Sequence, residues 1–147
     1  MLKRLILPLT FVLMIPCAFA DSHGNLTVSR LHRVYDGKLF FVDIEGVHPL
    51  LGKEIGVTLN RFSIPKIDRY AECDKEKRWG NKIKAFVQER LLNANKIELK
   101  NAVRGAHWYI SAAVFYDGKD LGSEMYEAFP WINSAGWDWC ASTSTWE

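Results

Sequence analysis

Val57-Thr58-Leu59-Asn60-Arg61-Phe62-Ser63-Ile64-Pro65-Lys66 decides how this chain folds. It opens in strand period, with Val57 and Leu59 on one face and Thr58 on the other. It closes at Pro65, which cannot donate to a ladder and takes the chain out of the sheet. Beyond it the period lengthens. Asp74 is placed to cap a helix through about Ala94, and Trp79, Ile83, Phe86, Val87 and Leu91 fall on one apolar face of it. Lys75, Lys77, Arg78, Lys82, Lys84, Glu89 and Arg90 supply its wet side, and Gly80 reads as its weak spot.

Upstream, Ile55, Val57 and Leu59 alternate with Gly56 and Thr58 as a third strand. Before it, Glu45 to Lys53 carries Gly46, Pro49 and Gly52 and reads as a loop. Asp36-Gly37 is a hairpin turn between a strand over Leu26 to Tyr35 and its return over Lys38 to Ile44. Val28, Leu31 and Val34 are the inward positions of the first strand. Downstream, Lys96 to Lys100 alternates as a fourth strand, and Trp108 to Tyr116 is a fifth after a turn at Arg104-Gly105. Asp117-Gly118 is a second turn, and Leu121 to Phe129 a short helix that Pro130 stops. Five strands with one long helix after the third, plus a short C-terminal helix, predict an α+β protein built on an OB-fold barrel. The domain runs over 26–140, and the Ser/Thr-rich end, 141–147, is expected to fray.

The first 20 residues stand apart. Lys3 and Arg4 precede an apolar run, Leu5 to Phe19, that ends at Ala18-Phe19-Ala20. That is the layout of a secretory signal peptide cleaved after Ala20; the run is short of the ~20 residues a membrane span needs. The expected location is periplasmic or secreted. Taking Lys3 and Arg4 away leaves 17 basic residues against 17 acidic, a mature domain without the broad positive field that drives non-specific nucleic-acid binding. Cys17 leaves with the signal. Cys73 and Cys140 remain, and in an oxidising compartment one disulfide is the simplest reading, two buried thiols the alternative.

With Tyr35-Asp36-Gly37, the Gly52-Lys53-x-Ile55-Gly56-Val57 entry, Cys73-x-Lys75-Glu76-Lys77, Ile97-Glu98-Leu99-x-Asn101, Asp117-Gly118-x-Asp120-Leu121 and Trp139-Cys140 in place, the chain resembles the exported bacterial branch of the staphylococcal nuclease family over about Val28 to Cys140. The resemblance implies that family's barrel and a bridge between the two cysteines. It also implies a metal-assisted phosphodiester hydrolase, in which two carboxylates hold Ca²⁺, a Glu acts on water and two Arg grip the phosphate. The matched positions carry none of these groups. The metal carboxylates fall on Lys38 and Ser63, the Glu on Lys66, and the two Arg on Thr58 and Tyr109. An ammonium ~4 Å from a unit cation costs on the order of 4 kcal/mol at an effective dielectric near 20, doubled for a divalent ion.

The expectation is therefore a catalytically degenerate, exported domain without a metal or cofactor. Lys38, Arg61, Lys66 and Tyr109 are its candidate binding residues, and its ligand is a nucleic acid or an acidic protein segment. Aromatic residues offer a second reading, a protein-interaction module, since the chain carries Trp79, Trp108, Trp131, Trp137, Trp139 and Trp146; Trp79 reads as core, and Trp137, Trp139 and Trp146 read as a lid that the disulfide pins over the barrel unless they are exposed. A third is an active Ca²⁺-dependent nuclease with relocated ligands, for which Asp36 and Asp43 are weak candidates; Asp36 reads as a turn residue and Asp43 as a strand-surface carboxylate. His23, His32, His48 and His107 are scattered, and none sits at catalytic spacing from Ser63.

Overall fold

In a computed structural model that describes residues 24–59, 62–133 and 138–141, apolar alternation closes a mixed barrel. Strands β1 (Leu26–Val34), β2 (Leu39–Ile44), β3 (Ile55–Leu59), β4 (Ile97–Arg104) and β5 (Ile110–Tyr116) lie in the order β3-β2-β1-β4-β5. A parallel pairing of β3 with β5, Val57 opposite Ile110 and Leu59 opposite Ala112, completes the ring. A two-residue strand, β6 (Lys119–Asp120), hairpins back on β5 through Asp117 and Gly118, both at positive φ. Such a turn matches the twist of the strands it joins. The architecture is α+β and OB-like.

The core is the inward register of each strand. Phe40, Val42 and Ile44, then Val57 and Leu59, Ile97 and Leu99, and Ile110, Ala112 and Val114 are all buried. Closing five short strands demands bends, and irregularities in the pairing supply them. β1 shifts register against β2 between Val28 and Arg30 and again between Leu31 and Arg33. β4 shifts against β5 between Lys100 and Val103, where Asn101 sits at φ 52° and Ala102 turns into the core.

One end of the barrel is covered by the long helix α2 (Asp74–Leu92), which buries Ile83, Val87 and Leu91. It comes close at Gly37, where a Cβ would stand 2.4 Å from Ile83 Cγ2. Helix α3 (Leu121–Ala128) adds Leu121 and Met125, and a 3-10 turn over Pro130–Asn133 adds Trp131 and Ile132. The opposite end carries a short helix, α1 (Pro49–Gly52).

Several expectations are corrected. The stretch expected to be a loop before β3 contains α1, whose first turn His48 caps through Nδ1 onto Leu50 N–H. The N-cap of α2 is Cys73, not Asp74: its Sγ accepts from Glu76 N–H, and Asp74 is the first helical residue. The helix ends at Leu92, short of Ala94. β4 extends to Arg104, and β5 begins at Ile110, because Ala106–Trp108 form a 3-10 turn with His107 and Trp108 at positive φ. A sixth strand joins the five expected. Residues 1–20, 142–147, Trp137 and Trp146 lie outside the described residues, so the expected signal and most of the expected tail do too.

Cys73 and Cys140 form the expected disulfide, with Cα atoms 6.0 Å apart across 67 residues of chain. Beside it Trp131 lies 5.0 Å from Trp79 and 5.1 Å from Trp139, ring centre to ring centre, both edge-on. The described tail is thus pinned over α2 by a covalent bond and an aromatic stack. Asp138 holds the bend at the bridge, because its carboxylate accepts from Cys140 and Ala141 N–H. Those bonds keep its acid form disfavoured and its pKa low.

Candidate binding face on strands two and three

Outward positions of β2 and β3 face each other by register: Leu39 opposite Thr58, Phe41 opposite Gly56. Across the barrel seam Thr58 lies opposite Ser111. Tyr109, just ahead of β5, lays its ring over Gly56. A Cβ at that glycine would sit 2.5 Å from the Tyr109 ring, so only glycine leaves room for the ring. The same ring meets Phe41 edge-on at 6.3 Å, and the Arg33 guanidinium covers Phe41 at 4.2 Å. Arg33, Phe41, Tyr109, Thr58 and Ser111 therefore form one face.

Lys38 borders this face. Its carbonyl accepts from Leu59 N–H at 2.9 Å, which places it beside the end of β3. It is half-buried, and its own N–H, with that of Leu39, bonds Oδ1 of Asp36. Asp36 is thus the turn residue it was expected to be. Ile64 packs against Gly37, which brings the Ser63–Pro65 segment alongside the same turn. Ser63 N–H is fastened to Ile132 carbonyl at 3.0 Å. The structure thus gathers Lys38, Thr58 and Tyr109 on or beside one face and places Ser63 near its edge. Arg61 lies outside the described residues.

Lys66 is engaged elsewhere. Its ammonium pairs with Glu72 at 2.6 Å, both side chains more than half exposed, and the Glu72 carboxylate keeps the ammonium charged by raising its pKa. Its backbone N–H bonds Oε1 of Glu76 at 2.9 Å, while Oε2 accepts from Glu72 N–H at 2.7 Å. Glu76 is 2% exposed, a buried carboxylate that ties the segment after Pro65 to the first turn of α2. Its role was not anticipated.

The donor set does not fit Ca²⁺ at the matched positions. A hard cation needs several oxygen ligands, and Lys38, Ser63 and Lys66 offer two ammonium groups and one hydroxyl. Among the described residues no three His, Cys, Asp or Glu side chains gather to hold a metal ion. Asp43 is committed as well. It accepts from Glu54 N–H at 2.8 Å and meets His32 Nε2 at 2.7 Å; the backbone bond first, then the imidazole, lower its pKa.

The Arg33–Phe41–Tyr109 stack was also missed. Alternation alone puts Phe41 outward once Phe40, Val42 and Ile44 are inward, but the ring covering Gly56 comes from a strand far along the chain. No protein-family model matches the chain, and a search of the curated proteins finds no match.

Proposed function

We propose that this chain is an exported, catalytically degenerate member of the staphylococcal nuclease family, and that it binds a polyanion without cutting it. The observation that carries the reading is the face on β2 and β3, where Arg33, Phe41 and Tyr109 stack and Lys38 stands at the border. OB-like barrels use this face for ligands, and cations interleaved with aromatic rings suit a strand with charged phosphates and flat bases. Lys66 contributes less than its position promises, because Glu72 offsets its charge, and Glu54, 3.9 Å from Arg33, offsets that cation in part. A single nucleic-acid strand can set its phosphates on Lys38 and Arg33 along a face backed by aromatic rings, which favours it over an acidic protein segment.

The test is a titration of a fluorescent single-stranded oligonucleotide at several salt concentrations. Lys38→Asp with Arg33→Gln is expected to weaken binding and to reduce the salt slope by about one per lost phosphate contact. An acidic peptide serves as competitor. Equal binding by the variant and the parent protein, with the same slope, would remove the face from the account.

A further inference from the structure

The end of the barrel opposite α2 exposes apolar side chains that the binding face does not use. Leu50 and Leu51, in α1, are 88% and 52% exposed. Trp108, in the turn before β5, is 74% exposed. Parallel pairing of β3 with β5 puts the starts of both strands at the same end, so both tips project from it. Between them runs an apolar crevice of about 140 Å³, lined by Leu26, Ile44, Val47, Leu51, Val103 and Ile110 among others.

We propose that this end rests on a lipid bilayer surface, with Leu50, Leu51 and Trp108 inserted at the headgroup level. Three observations favour a membrane over a protein groove. The apolar groups stand on two projecting tips, the shape that enters an interface, and indole is the ring best suited to that depth. Trp108 is held there at a cost. It and His107 are consecutive non-glycine residues at φ 65° and 55°, a conformation that persists only where the surroundings enforce it. Arg104 enforces it, its guanidinium donating to Trp108 carbonyl at 3.0 Å and lying 5.4 Å from the indole. Finally, Lys53 and Arg104 are exposed beside the tips and outnumber the exposed Glu45 there, since Glu54 pairs with Arg33 at 3.9 Å. Anionic headgroups are therefore the favoured surface.

The protein from Asp21 to Glu147, which retains every described strand and helix, would be sedimented with vesicles of phosphatidylethanolamine and phosphatidylglycerol. The expected result is co-sedimentation, and Leu50→Gln, Leu51→Gln and Trp108→Asn together weaken it at least about tenfold without moving the melting temperature downward. Asn is used because it tolerates the left-handed backbone at 108. The parent protein staying in the supernatant overturns the proposal. So does equal sedimentation of the variant, and so does a solution dimer that the same three substitutions dissolve while vesicles go unbound.

Discussion

Gly80→Ala reverses an ordinary expectation. In the interior of a helix, alanine is favoured over glycine by about 1 kcal/mol, and the change would normally stabilise. At Gly80 the added Cβ would lie 2.7 Å from Lys66 carbonyl oxygen, 2.9 Å from Pro65 carbonyl oxygen and 2.7 Å from Ile67 Cγ2. Two of those three atoms are backbone and cannot rotate away. Overpacking of this kind costs about 1–3 kcal/mol, and backbone neighbours put it toward the upper end. The net effect is a loss of about 1–2 kcal/mol, read as a lower urea midpoint with unchanged slope and a melting temperature lower by roughly 5 °C. The same displacement loosens the segment from Pro65 to Ile67, so amide exchange at Lys66, whose N–H is held by buried Glu76, should quicken. A variant more stable than the parent protein would refute the reasoning, because propensity would then outweigh a contact the fold makes through backbone.

Reducing the Cys73–Cys140 bridge, or making Cys73→Ser with Cys140→Ser, releases a loop of 67 residues. The loop-closure estimate gives a loss of about 4 kcal/mol, checked by denaturation with and without reductant. Tryptophan emission should shift red in the reduced protein as the Trp131–Trp139 contact opens. The Tyr116–Glu124–Arg90 cluster joins β5, α3 and α2. Tyr116 hydroxyl donates to Glu124, and Arg90 Nε bonds the same carboxylate at 2.8 Å. These bonds, the tyrosine's first, lower the Glu124 pKa below its ordinary 4.5. A depressed carboxylate stabilises the fold above its unfolded pKa, so stability should fall as pH drops below about 4.5, and Glu124→Gln should flatten that part of the profile. Burial, then the bond to Glu124, raises the Tyr116 pKa to about 12. That raised acid favours the neutral form, so stability should also fall as pH rises from about 10 toward 12.

Much of the barrel was legible because turns and parity are local. Asp36-Gly37 and Asp117-Gly118 announced two hairpins, and alternation around Val57 and Leu59 announced the inward face of β3. The bulges in β1 and β4 were not legible, since a register shift exists only relative to a partner strand. Helix periodicity placed the buried face of α2 but read Gly80 backwards, because the carbonyl groups that need its missing side chain belong to the preceding segment. The resemblance to the nuclease family singled out Lys38, Thr58, Ser63, Lys66 and Tyr109. It could not show that Lys66 turns to Glu72, or that Tyr109 spends its ring on Gly56 and Phe41. Side-chain partners depend on which rotamer the finished surface favours, and that is decided after the barrel closes.

Cleavage of single-stranded DNA by the folded, oxidised protein, with Ca²⁺ and with a chelator, tests the central claim most directly. The account predicts intact DNA in both, together with binding that weakens as salt rises. Chelator-sensitive cleavage that follows the protein through purification, and is retained by Lys38→Asp, would contradict it and require metal ligands away from Lys38, Ser63 and Lys66.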